Sequence, residues 1–218
     1  MSVHNPVVSP VGDSALLVRF GEQMDAAANR RVHALAQRLR QQPCMGVGEA
    51  VPGYITLLIH YDPLLLTYDQ ILAWVREQAA QAQDEAGAAP RCVEIPVVYG
   101  GEAGPDLAFV ASHTGLSADE VIRRHTAPRY TVYFIGFTPG FPYLGGMDAS
   151  LTTPRLETPR ARVPAGSVGI AGPQTGVYPL ESPGGWRIIG RTQLPLFDLA
   201  AQPPSLLSPG DEVRFVRA

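Results

Sequence analysis

A chain of 218 residues, 45% apolar and 17% charged, can bury one large core or two small ones, and its composition is neither that of a disordered tail nor of a fibrous repeat. Its net charge of −3 gives no general attraction to nucleic acid or to an anionic membrane, and no apolar run approaches a membrane span. All 17 of its Lys+Arg positions are arginine, which excludes a Walker A lysine, a Schiff-base lysine and a kinase-type phosphate lysine. Any phosphate or carboxylate must therefore be held by arginine or by backbone N–H.

The opening MSVHNPVVSP lacks the basic start and apolar stretch of a secretory signal, so a cytoplasmic location is expected. Asp13 to Phe20 reads as a first strand. Asp25 then caps a helix whose Val32, Leu35, Ala36 and Leu39 recur at helical spacing, and Pro43 ends it. Val47–Val51 and Tyr54–Tyr61, separated by Pro52-Gly53, predict a hairpin. Thr67 and Gln70 form a capping-box pair ahead of a second amphipathic helix through Ile71, Val75 and Ala79. With Arg91–Tyr99 as another strand, the order β-α-β-β-α-β is that of a ferredoxin-like split-βαβ unit, and Gln81–Pro90 is the expected linker. The strand after this linker can belong to either half. Two short helices follow, Asp106–His113 closed by Gly115 and Ser117–His125 opened by Ser117 with Glu120. Beyond them Tyr130–Ile135, Ser167–Ala171, Trp186–Arg191 and Glu212–Val216 read as strands among glycine and proline turns, which predicts a β-barrel. The fold class is thus α+β, with a small N-terminal domain over 1–90 and a C-terminal barrel domain over 91–218.

The unusual chemistry is concentrated between Ile135 and Thr192, where 11 of the 22 glycines and 8 of the 21 prolines fall among aromatics and β-formers. A disordered linker would lack such apolar anchors, so this stretch is read as ordered loops and short strands around a cleft. His125 lies toward the apolar face of its helix, either as a core-edge histidine or as a cleft acid–base group. The loop Gly136–Gly146 carries Phe137, Thr138, Gly140, Phe141 and Tyr143, and it reads either as a ligand wall or as an Ω-type loop packed on itself. Arg155, Arg160 and Arg162 sit beside Pro154, Pro159 and Pro164, where a pre-set backbone suits a guanidinium fork for carboxylate or phosphate; the alternative is solvated surface arginine. Ser167, Gln174, Thr175, Tyr178 and Ser182 supply neutral donors and acceptors, but Gly166-Ser167-Val168-Gly169 is not a nucleophile elbow. Trp186, on the strand that ends in Arg191, reads as core rather than as a ligand platform. Cys44 and Cys92 lack metal-type spacing, so neither a disulfide nor a metal site is expected.

In order along the chain, GFTPGFPYLGG, PR…PR…VPAGSVGIAG, QTGVYP, SPGGW, IIGRT, LFD and PGDEVRF resemble the 5-oxoprolinase B-subunit family. That family also includes the kinase inhibitor KipI and the allophanate hydrolase subunit 1 or carboxyltransferase module. The resemblance runs from about Asp13 to Val216 and implies a small α/β domain followed by a cyclophilin-like β-barrel. It implies one component, inactive alone, of an ATP-dependent lactam hydrolase that opens 5-oxoproline to L-glutamate together with A and C subunits. ATP would be a substrate of the complex, bound at the interface with the C subunit or in a site without a P-loop, and this chain alone would bind no cofactor. The positions matching the family's motifs are His125, Thr138, Gly140, Phe141, Tyr143, Arg155, Arg160, Ser167, Gln174, Thr175, Tyr178, Ser182, Trp186 and Arg191. Of these, His125, Arg155 and Arg160 are the expected catalytic residues and the others the expected substrate-binding ones. The same resemblance leaves two other functions open, inhibition of a sensor histidine kinase and half of a biotin-dependent carboxyltransferase acting on urea-like amides.

Overall fold

The computed structural model describes residues 6–23, 25–82 and 90–218. The chain divides into two compact units, Met1–Ala89 and Pro90–Ala218. Most of the expected linker, 83–89, lies outside the described residues.

The first unit contains β1 (Val7–Val11), β2 (Ala15–Arg19), α1 (Ala26–Gln41), β3 (Val47–Pro52), β4 (Thr56–Tyr61) and α2 (Tyr68–Gln81). Its antiparallel sheet has the order β1-β2-β4-β3, so β4 lies between the two strands that α1 connects, which is the split-βαβ arrangement. Helix α1 begins where the Asp25 carboxylate accepts from the amides of Ala27 (3.0 Å) and Ala28 (3.4 Å), and α2 begins in the reciprocal Thr67–Gln70 capping box. Val32, Leu35, Ile71 and Val75 bury their helical stripes against Leu16, Val18, Leu57 and Ile59 of the sheet.

The fourth position of this sheet is taken by β1 rather than by the strand that follows α2. β1 contains Pro10 and is mostly exposed, as suits an edge strand where a missing N–H costs little.

The strand after the linker, β5 (Cys92–Tyr99), joins the second unit. This unit continues with α3 (Leu107–Thr114), α4 (Ala118–Thr126), β6 (Tyr130–Ile135), β7 (Pro142–Gly145), β8 (Arg160–Val163), β9 (Ser167–Ala171), β10 (Gln174–Val177), β11 (Ser182–Gly184), β12 (Arg187–Arg191) and β13 (Glu212–Arg217). Seven of these strands close a barrel in the order β10-β7-β6-β13-β5-β12-β9, with β9 pairing back onto β10. β5 runs parallel to β13 over six residue pairs, which fixes it in the barrel. Alternate residues such as Ile95, Val97, Val213 and Phe215 point inward and are buried.

Gly115 ends α3 in the left-handed conformation, at φ 70°. Ser117 caps α4 by accepting from the Glu120 amide at 3.2 Å. The Glu120 carboxylate, expected to complete a capping box, instead binds Arg123 and Arg124 at 2.7 Å. Strands β8 and β11 form a separate two-stranded sheet, whose β8 carries Arg160 and Arg162, while Arg155 lies in the loop before it.

Candidate functional site

The structure separates the sequence-predicted residues onto two faces of β10. Thr175 points to the barrel interior, while its neighbour Gly176 lies outward, where an added Cβ would sit 3.1 Å from the Trp186 ring and 3.2 Å from that of Phe141.

On the inner side, His125 in the last turn of α4 is 0% exposed, with its ring 4.5 Å from that of Phe215. Both ring nitrogens are partnered: Nδ1 lies 2.8 Å from the Tyr99 hydroxyl and Nε2 lies 2.9 Å from Thr175 Oγ1. Because the Thr175 hydroxyl donates to the Gly169 carbonyl at 3.0 Å, it must accept from Nε2–H, and Tyr99 must donate to a bare Nδ1. This chain of hydrogen bonds fixes a neutral imidazole, and burial pushes its pKa down to about 3. The Tyr130 hydroxyl also donates to the His125 carbonyl at 2.7 Å. His125 and Thr175 therefore bridge α4 to the barrel wall, and the structure does not bring them together with Phe141, Tyr143 or the arginines.

On the outer side, Phe141, Tyr178 and Trp186 form a buried cluster with Val163 and Ile188, and Tyr143 packs against it. The rings of Phe141 meet those of Tyr178 and Trp186 edge to face at 5.3 and 5.4 Å, an arrangement that favours each pair beyond simple burial. Glycines make room for these rings. A Cβ on Gly184 would lie 2.4 Å from the Tyr178 hydroxyl, and one on Gly169 would lie 3.1 Å from Trp186 Cβ. Gly140 closes the turn below at φ 79°, where a Cβ would meet Phe197 at 2.8 Å.

Above the cluster stands Phe137, 62% exposed and held at φ 65°, an uncommon conformation for a residue with a side chain. Three loop hydrogen bonds impose it: Thr138 N–H to Gly136 O, Phe141 N–H to Thr138 O and Gly136 N–H to Phe141 O. Two hydroxyls here are buried without a hydrogen-bond partner, Thr138 Oγ1 and Ser182 Oγ. A hydroxyl in this position is open to an ordered water or to a ligand atom.

The arginines differ from one another. Arg155 is exposed and forms no ion pair among the described residues. Arg160 donates to Asp106 Oδ1 at 2.9 Å and to the Trp186 carbonyl at 3.4 Å. Arg162 pairs with Glu181 at 2.7 Å. Burial raises the pKa of the Tyr178 phenol, outweighing the Trp186 amide and then the charges of Arg155 and Arg160, which pull the other way. Both guanidiniums therefore act on one hydroxyl.

Ser167 is buried and pairs across β9–β12 with Arg191, whose Nε donates to the Ala165 carbonyl at 2.9 Å. Gln174 is half-buried at the start of β10. These three lie along the barrel strands and not in the two-stranded sheet that carries Ser182.

Two surface depressions lie elsewhere. One, of about 470 Å³, is lined by Ser14, Gly46, His60 and Asp62 in the first unit, and the other, of about 320 Å³, by Arg123, Arg124, Gly146 and Asp148.

Asp106 is the residue that sequence reasoning missed. It reads locally as a helix cap, yet its side chain caps nothing in α3. Among the described residues no group of three His, Cys, Asp or Glu side chains can hold a metal ion, and no helix is long and apolar enough to cross a membrane.

The family model of the carboxyltransferase domain, subdomain C and D, matches residues 6–207. The chain is 45% identical over 220 residues to the 5-oxoprolinase B subunit of Bacillus subtilis, covering 96% of this chain and 92% of the relative. It is 49% identical over 210 residues to the 5-oxoprolinase B subunit of Escherichia coli O157:H7, covering 94% and 93%. Among solved structures it is similar to TTHA0988, with a TM-score of 0.81 and 44% identity, covering 94% of this chain but only 40% of that one.

Proposed function

Because the chain belongs to the 5-oxoprolinase B-subunit family, within the wider carboxyltransferase-domain family, we propose that it is the B subunit of an ATP-dependent 5-oxoprolinase, opening 5-oxoproline to L-glutamate together with A and C subunits. The observation that carries the reading onto this chain's own residues is the aromatic cluster of Phe141, Tyr178 and Trp186 together with Arg155, which forms no ion pair among the described residues and acts on the Tyr178 hydroxyl.

5-Oxoproline is a small flat lactam bearing one carboxylate. In the proposed mode the fork of Arg155 holds that carboxylate, the rings of Phe137 and Tyr143 bound the lactam, and the hydroxyls of Thr138 and Ser182 bond its amide. Holding the amide in one orientation lowers the entropic part of the barrier. ATP supplies the activation of the amide carbonyl in the complex. With no lysine in this chain, we assign the nucleotide phosphates to an interface with the C subunit, where arginine or backbone N–H serves. Phe137 and Leu180, both exposed, form the partner-facing rim. The chain alone is then inactive. His125 and Thr175 hold the barrel wall beneath this face, and Arg160 is reserved for Asp106.

Reconstitution with A and C subunits tests the reading through ATP-coupled glutamate formation from 5-oxoproline. Activity that needs all three subunits supports it, whereas a complex that turns over equally well without this chain overturns it. A second reading, carboxyl transfer to an amide, is favoured by the description of the matched family model. It requires a biotin-bearing partner, and bicarbonate-dependent ATP turnover would distinguish it.

A further inference from the structure

Asp106 stands immediately before α3, where an aspartate ordinarily accepts from the first helical amides. Its carboxylate is instead turned to the β12 side and is only 9% exposed. Oδ2 accepts from the Ile188 amide at 2.6 Å, while the Asp106 amide donates to the Ile188 carbonyl at 2.8 Å, so residue and strand are locked by two antiparallel bonds. Oδ1 is left to face one side chain, Arg160, at 2.9 Å. Arg160 in turn reaches the Trp186 carbonyl and thereby ties β8 to the aromatic cluster.

The other nearby arginines are engaged. Arg162 pairs with Glu181, and Arg187 lies 3.5 Å over the Phe109 ring while donating to the Pro154 carbonyl. Neither contact cancels the charge of Arg187, but of the two guanidiniums that act on the Tyr178 hydroxyl, Arg160 has a carboxylate partner and Arg155 has none among the described residues; Arg155 is held beside the cluster by the Leu156 amide, which donates to the Gly185 carbonyl at 2.7 Å.

We propose that Asp106 sets the anion selectivity of this face: by neutralising Arg160 it leaves Arg155 as the one of the two guanidiniums acting on the Tyr178 hydroxyl without a carboxylate partner among the described residues, which suits a singly charged carboxylate over a doubly charged phosphate. The proposal rests on the reading that this face takes the substrate's anion. Its physical basis is that a dianion gains about twice as much as a monoanion from each added positive charge, so removing one buried carboxylate shifts the preference toward phosphate by about tenfold.

The test is a titration of the full-length chain with 5-oxoproline and with inorganic phosphate at constant ionic strength, following the indole N–H resonance of Trp186. Asp106→Asn keeps an acceptor for the Ile188 amide, removes the charge and sets an NH2 donor where Oδ1 accepted from Arg160. Phosphate binding is expected to strengthen at least about tenfold relative to 5-oxoproline, while Asp106→Glu stays near the wild-type ratio. An unchanged ratio in a folded Asp106→Asn variant overturns the proposal. If that variant does not fold, Arg160→Gln leaves the Asp106 carboxylate without its guanidinium partner and is expected to weaken phosphate more than 5-oxoproline; equal or no weakening overturns the proposal. A wild-type chain that binds phosphate but not 5-oxoproline refutes the substrate reading alone, and the phosphate arm still decides the role of Asp106. Binding of neither anion overturns both.

Discussion

Replacing His125 by Gln tests whether the barrel interior depends on a neutral imidazole. Burial lowers the pKa of His125 from 6.5 to about 3. In the unfolded chain the ring is protonated below pH 6.5, but in the folded chain it stays neutral until about pH 3. The unfolded state therefore binds more protons throughout that window, so the stability due to this group is fully present above pH 6.5 and falls as the pH is lowered. The slope is about 1.4 kcal/mol per pH unit, which gives a loss of about 2 kcal/mol between pH 7 and pH 5 from this residue alone. Urea unfolding at the two pH values measures it. Wild type should lose about 2 kcal/mol more than His125→Gln on acidification, although the variant starts lower because Tyr99 and Thr175 lose their shared partner. Imidazole resonances followed over the same range should show His125 without a titration step. Parallel pH dependences in the two proteins, or a midpoint for His125 near 6.5, would refute the reasoning.

Gly184→Ala places a methyl 2.4 Å from the Tyr178 hydroxyl, so the ring must move; we expect a loss of about 1–3 kcal/mol by thermal or urea unfolding, with a changed Trp186 environment. Phe137→Gly removes an exposed ring and its positive-φ strain, so stability should be unchanged or rise by up to about 1 kcal/mol while 5-oxoproline binding weakens. Stability falling by several kcal/mol would mean that the ring is a core element instead. Size-exclusion chromatography with the C subunit should shift the elution of wild type, and Phe137→Asp combined with Leu180→Asp should abolish the shift if the rim faces the partner.

The parts of the fold legible in the sequence are those that local forces decide. Asp25, Thr67 and Ser117 announce their helices because capping acts over three residues, and all three accept the expected amides. The long barrel strands around Val132, Val168 and Val213 carry enough β-formers to be read directly. Strands β7, β8, β10 and β11 are only three or four residues long and sit among proline and glycine, so their pairing comes from distant partners. The edge strand β1 was hidden for a related reason, since Pro10 argues against a strand unless one edge is unpaired.

At the site, the aromatic loop and the arginine segment were visible as composition, and Phe141, Tyr143, Tyr178 and Trp186 do cluster. The separation of His125 from them was not visible, because it depends on which face of β10 each neighbour takes. Asp106 was invisible in its role for the same kind of reason: its partners Arg160 and Ile188 lie 54 and 82 residues away.

The most direct test of the account is the kcat/KM for 5-oxoproline of the reconstituted three-component complex containing Arg155→Lys, after confirming that the variant assembles. Lysine keeps the charge but loses the two-pronged geometry for a carboxylate. The account predicts a fall of at least about tenfold, equivalent to about 1.4 kcal/mol, borne mainly by KM. Wild-type kcat/KM in that complex would contradict it and would place the substrate's anion away from Arg155.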